Sequence, residues 1–456
     1  MGSMALEMEK RGIPSASIIY HEHIGTFMQA PMLAGYGPVP YYDMYADSVQ
    51  TVEDTVKVAK AATPTLIRGL VTTGEPDFMR KVGKTLVPYP DSFSFVASNA
   101  DAAYNAFAKK FLERGWTDGL PVFAPTKERV DWMLTGTDYA PDHVIGKMGP
   151  SNGTITVETV AINAALAGCR PEHMPVIIAS MEAITSYKYD WYAAQLRGMW
   201  PLIWVNGQVS RDLGINYREN TLGVNPDMPA GGPISRAINF IWRNAGGYGI
   251  AMVPPGQHGQ STQYAGMVFA ESEWDSYGWV PYNQQLGFPK GTNTVTVIGV
   301  MGAVNIPGHT AEVAAQAVTP TAAMWPGDEA KWKTRKAGVI IVEPLVAGLL
   351  WDEGVTKKDF ADTVAKNATV NRKEFMDIKE IPDASAASGF AKTLMERYGD
   401  QIPVGASGDN FIVLSSGGWC VCMPFTYLPT DSWMDSPVTR PIKLPSNWNA
   451  LLEAAK

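Results

Sequence analysis

The short stretch from Cys169 to His173 carries the best-defined chemistry in this sequence. Cys169 lies between Gly168, which ends an amphipathic run, and Pro171, a residue suited to the first position of a helix. A sulfur held there is expected to feel the positive end of the second helix and the neighbouring Arg170, both of which favour thiolate. Glu172 and His173 follow on the same first turn, where a carboxylate complements the helix dipole and an imidazole could take or return a proton. Together they read as a nucleophile with acid/base partners, and Arg170 as a substrate contact. The plainer reading is a small residue at a tight turn, a capping glutamate and a packed histidine.

Four other places could contribute. His21 and His23 flank Glu22 just after the apolar run Ser17 to Tyr20, and alternation along an extended segment would put both imidazoles on one side. Such a pair could relay protons, or hold a metal ion given a third ligand. Trp116 and Asp118 precede the extended run Leu120 to Val122, Trp116 as a substrate contact and Asp118 to orient a substrate or a catalytic histidine. An ordinary Asx-turn is the alternative for Asp118. The glycine-rich stretches around residues 246–249 and 256–259 follow a helix rather than linking a strand to one, so they lack a dinucleotide or phosphate-loop fingerprint. They suit a loop presenting Gln257 and His258 to substrate. Cys420 and Cys422, two residues apart, would point to opposite faces of a strand, which favours packing over a shared disulfide.

The elements around these residues mix helix and strand. Helical periodicity is expected at residues 52–70, 99–114, 157–167, 234–244, 310–317 and 358–365, and strands at 17–20, 294–300, 338–342 and 410–414. The fold class is therefore α/β, with a partial Rossmann-like segment at residues 4–90 followed by a larger mixed α/β (α+β) domain at 91–456. One short strand and its flanking helices cannot cover both faces of a parallel sheet, so the first segment needs completion from elsewhere.

Composition narrows the function classes. The 456 residues carry a net charge of −8 without a basic cluster, which argues against nucleic acid as a partner. Apolar residues reach 46% but form no run long enough to span a membrane. With only 3 cysteines and no basic, then apolar, leader at the start, the reducing cytoplasm is the expected compartment. The 14 Trp and 18 Tyr suit aromatic-walled loops around a small-molecule pocket. No cofactor motif is found, and lyase or hydrolase chemistry run on acid/base groups needs none.

Gly115 to Pro121, Ala167 to Glu172 and Leu213 to Asn216 resemble the bacterial UGSC-type thiol/selenol protein family. The resemblance continues at Ile234 to Ala237, Arg243 to Gly247, Ala270-Glu271 and Ser416 to Gly418, and it makes Asn216 a further expected substrate contact. It implies a Rossmann-like domain whose Sec/Cys-Gly-Ser-Cys motif opens a helix leading into a segment similar to Leu6 to Pro14. This chain starts just after the place where that motif would occur. The expectation is the large subunit of a bacterial enzyme that acts on a small organic substrate by acid/base chemistry, with or without a thiol step (lyase or hydrolase type). A thiol/selenol-dependent reductase subunit and a non-catalytic scaffold subunit are the alternatives. A small partner subunit would supply the missing half-domain, or a homo-oligomer would cover it. Native mass spectrometry of the chain co-expressed with the neighbouring small reading frame should then show a stoichiometric complex; a stable homo-oligomer alone would contradict the separate subunit.

Overall fold

The fold is that of a computed structural model, which describes residues 5, 8, 11, 13–20, 41–44, 51–71, 92–149, 153–186, 199–223, 225–246, 267–273, 278–321, 328–418, 422–430 and 436–456. Its contacts divide the chain into two compact units. The first comprises Met1–Trp116, Met148–Gly153 and Trp242–Pro254, and the second Thr117–Lys147, Thr154–Ile241 and Pro255–Lys456. The mixed α/β class expected from sequence is what the chain adopts.

In the first unit, β1 (Ser17–Tyr20) pairs in parallel with β2 (Tyr41–Met44), Ser17 opposite Tyr41 and Tyr20 opposite Met44. The helix α1 (Val52–Val71) follows, then α2 (Ala100–Glu113), whose N-cap Asn99 accepts the Ala102 amide at 2.9 Å. The sequence assigns α2 to the larger region, yet it groups with the first unit. Its apolar face explains this: Phe107 and Phe111 pack at a tilt with ring centroids 4.5 Å apart, and Phe111 meets Trp116 edge-on at 5.0 Å.

Chain order then runs through α3 (Lys127–Leu134), β3 (Val144–Met148), β4 (Gly153–Thr156), α4 (Val157–Ala167), α5 (Met174–Ser186), β5 (Trp200–Asn206), α6 (Val209–Leu213) and α7 (Gly231–Asn244). It continues with β6 (Val268–Ala270), β7 (Thr294–Val300), β8 (Val304–Ile306), α8 (Ala311–Thr321), β9 (Gly338–Val342), α9 (Pro344–Asp352) and α10 (Lys357–Asn367). The last elements used below are β10 (Thr369–Asn371), β11 (Gln401–Pro403), β12 (Phe411–Ser415), β13 (Phe425–Pro429), β14 (Val438–Pro441) and α11 (Trp448–Ala455).

Two four-stranded sheets organise the second unit, with orders β14-β7-β5-β6 and β12-β9-β13-β8. In the first sheet β5 and β7 are antiparallel over seven rungs, from Trp200 opposite Val300 to Asn206 opposite Thr294, and β6 lies parallel to β5. Every residue of β5 and β7 is buried, as central strands covered on both faces require; β5 is a nearly continuous apolar run, and in β7 even Thr294 and Thr296 are buried. In the second sheet β9 sits between β12, parallel to it, and β13, antiparallel to it. Ile340 and Val342 turn one face of β9 into a core with Ala314, Val318, Phe360 and Val364 from α8 and α10. By alternation Val339 and Ile341 take the opposite face, and both are buried. None of the helices among the described residues is long and apolar enough to cross a membrane.

The α4–α5 corner shows how local signals set a boundary. Thr156 caps α4 by accepting the Thr159 amide at 3.1 Å, and Gly168 ends it in the left-handed region at φ +82°. A Cβ at Gly168 would come within 2.8 Å of the Phe123 ring. Gly168→Ala should therefore lower the denaturant midpoint by the equivalent of about 1–2 kcal/mol at unchanged slope; a midpoint equal to wild type would show that the corner tolerates a side chain.

Candidate functional site

The residues expected to be catalytic around Cys169 come together, but their chemistry changes. Cys169 is free and only 2% exposed, and burial pushes its thiol up; Arg236, rather than Arg170, is the charge that opposes this, and Glu172 adds to it. The expected thiolate is thus replaced by a protonated, packed thiol, because desolvation outweighs the end of a short 3-10 turn at Pro171–His173. Arg170 Nε meets Glu172 Oε1 at 2.7 Å, so the proposed substrate contact and the proposed acid neutralise each other. The Nδ1 atom of His173 accepts the Arg170 amide at 3.3 Å, and burial followed by the Arg170 charge brings the imidazole down to about 4. His173 is neutral at pH 7, with its remaining proton on Nε2. Arg170, Glu172 and His173 line a cavity of about 640 Å³ with apolar Leu213, Pro233 and Leu452.

Other expected site residues serve the scaffold. Asp118 makes a two-pronged pair with Arg236, Oδ2 to Nε and Oδ1 to Nη2 both at 2.8 Å, and accepts the Leu120 amide at 3.0 Å. The Asx-turn alternative accounts for it, and both of its oxygens are engaged. Asn216, 3% exposed, donates to the Glu219 and Asn220 carbonyls at 3.0 Å and accepts the Arg218 amide at 2.9 Å, so it shapes a loop from within. Trp116 belongs to the first unit's aromatic cluster. Cys422 is disulfide-bonded, which corrects the expectation that it only packs. His21, His23, Gln257, His258 and Cys420 lie outside the described residues.

A denser constellation lies where strands end. The parallel pair β5 and β6 and the parallel pair β9 and β12 meet at their carboxyl ends: the Ser272 amide donates to the Ser415 carbonyl at 2.7 Å, and Ser416 Oγ donates to the Ala270 carbonyl at 2.8 Å. The carboxyl ends of parallel strands are where α/β folds gather ligand-binding groups, because the backbone stops pairing there and side chains fan outward. Here those groups are acidic: Glu271 and Glu273 after β6, and Glu343 after β9.

Glu271 is 3% exposed and fully answered. Its Oε1 takes Lys357 Nζ at 2.5 Å, and its Oε2 takes Asn206 Nδ2 at 2.8 Å and the Tyr282 amide at 2.7 Å. Lys357 opens α10 behind a capping box of Thr356 and Asp359, an end of a helix where a cation is electrostatically misplaced. The buried carboxylate compensates it.

Glu273 is held differently. Asn206 Nδ2 at 2.7 Å and the Gly207 amide at 2.8 Å both go to its Oε1, leaving Oε2 without a hydrogen bond among the described residues. Burial is the main force raising its pKa, with the Glu271 charge adding to it, while Asn206, Gly207 and Arg211 act against the rise. Asn206 thus bridges two carboxylates of unlike environment, one locked in an ion pair and one raised and half open. Gly207 can offer its amide because it adopts φ +94°, and a Cβ there would come within 2.8 Å of Asn293. Glu273 lines a cavity of about 320 Å³ together with Arg211, Trp279, Gln284 and Lys290.

Sequence reasoning passed over Glu273, although a usable signal was present. Glu271 and Glu273 follow an apolar run at a spacing that puts both on one side of an extended chain. Lys357, 86 residues away from Glu271, had no such signal. No family model, curated protein or solved structure matches the chain. Lys357→Met should cost about 3–5 kcal/mol in chemical denaturation by stranding Glu271, and a second change, Glu271→Gln, should recover part of that loss; additive losses would contradict the pairing.

Proposed function

We propose that this chain is an acid/base enzyme acting on a small anionic organic molecule, with Glu273 as the group that moves the proton. The observation that carries this reading is the asymmetric carboxylate pair. Asn206 holds Glu271 and Glu273 with a single amide, Lys357 absorbs the charge of one, and the other borders a cavity with its pKa raised. A carboxyl moved toward neutrality serves both as base and as acid, which suits elimination, addition or hydrolysis. Arg211 and Lys290 give the same cavity two cations, the complement of a substrate carboxylate or phosphate. Arg211 is fixed by donating to the Glu273 carbonyl at 2.9 Å, so the cation and the acid are positioned by one backbone segment. The family resemblance adds to the same proposal a small thiol or selenol subunit completing the N-terminal unit.

Proton NMR in D2O with a panel of carboxylate-bearing hydroxy acids, esters and amides would read elimination, hydrolysis or exchange at carbon. At least one compound should react, with kcat about 100-fold or more lower in Glu273→Gln. The pH limb lost with that variant should lie above the ordinary carboxylate range, activity rising with pH if Glu273 acts as base. A panel without turnover, or a folded Glu273→Gln protein that keeps the wild-type rate, overturns the assignment.

A further inference from the structure

Glu343 stands out against Glu271. It is 6% exposed, and neither carboxylate oxygen has a hydrogen-bond partner among the described residues. It follows β9 at the carboxyl end of the β9–β12 pair, where its own amide donates to the Pro424 carbonyl and the Ser416 amide donates to the Val342 carbonyl, at 2.8 and 3.0 Å. Its backbone is therefore tied to a strand on either side. Alternation gives it the face of Val339 and Ile341, away from the core that receives Ile340 and Val342. It occupies the N-cap position of α9 without forming a side-chain cap bond. Burial alone pushes the carboxyl up to about 7, with no charged group among the described residues acting on it.

Burying a carboxyl with no donor is costly, and folded proteins retain such groups mainly where a ligand or a reaction makes use of them. Position agrees with this, since the carboxyl ends of parallel strands are the usual ligand edge. We propose that Glu343 anchors a second binding site, which takes the ammonium group of a small organic amine. An ammonium brings donors and the opposite charge in one compact group, meeting both deficits of the buried carboxylate. A divalent metal fits less well, because it needs several oxygen ligands and no group of three His, Cys, Asp or Glu side chains among the described residues could hold one. The amine ionises Glu343 as it binds, so the complex forms with release of a proton at neutral pH. This inference does not rest on Glu273 and fails independently of it.

The probe is ethylammonium chloride, compared with sodium chloride at equal ionic strength, and the readout is the melting temperature of the whole chain. In wild type at pH 8 ethylammonium should give a saturable rise that sodium does not, and the rise should shrink at pH 5, where the carboxyl holds its proton. For Glu343→Gln the half-saturating concentration should be about tenfold higher or beyond reach. Folding of the variant is checked in sodium chloride. The raised pKa means wild type loses stability as pH climbs from the ordinary carboxyl range through about 7, whereas Glu343→Gln is free of that loss and should melt no lower at pH 8. Equal ethylammonium responses in the two proteins, or no response of wild type at either pH, overturns the site.

Discussion

The charge on Glu271 is the constraint around which the second unit is arranged. A carboxylate taken out of water must be matched by donors at fixed positions, and this one takes them from three distant segments: Asn206 at the end of β5, Tyr282 beyond β6, and Lys357 at the start of α10. The ion pair therefore joins the edge of the first sheet to a helix that packs on the second sheet. Geometry of this kind specifies more than it stabilises. A slip of one residue in β6 would turn Glu271 to the other face and leave both it and Lys357 buried without partners.

From that anchor the neighbouring groups acquire different characters through environment alone. Glu273 shares Asn206 with Glu271, but desolvation outweighs the charge of Arg211 and governs it. Glu343, on the adjoining parallel pair, lacks even the shared amide. Three carboxyls at neighbouring strand ends thus form a graded series, from a paired anion, through a half-open group with a raised pKa, to an isolated acid. The same gradient explains why the cysteine corner differs from its local reading. Around Cys169 the surroundings are equally dry, and burial outweighs the one opposing charge, that of Arg236.

What could be read from sequence follows the range of each signal. The bounds of α4 come from Thr156 and Gly168, residues that act on their own turns, so they were legible. β9 is an unbroken apolar run and β7 is rich in β-branched residues, and both were legible too. β5 escaped notice although it is buried along its whole length, because Pro201 and two tryptophans disguise the run. The start of α10 was readable within a residue, yet what Lys357 touches was not, since that contact exists only once two sheets have met. Cys169 and Asp118 were singled out as catalytic candidates; whether a polar residue reacts or merely braces depends on burial and on Arg236, which no local window contains.

The strand order of the second sheet carries a consequence for how the chain comes to be folded. β9, whose residues Gly338 to Val342 include no charge, is flanked in the finished protein by β12 and β13. Both flanking strands lie more than a helical hairpin further along the chain, so during synthesis β9 emerges with each of its edges bare. Short apolar, β-branched segments in that situation are prone to pair with copies of themselves. Protection must come from the flanks: Arg335 and Lys336 stand just before the strand, and Glu343 and Pro344 just after it. Charges on both flanks and a proline at one end of a sticky segment hinder intermolecular pairing. The acid that ends β9 would then guard the nascent chain before it serves the mature one.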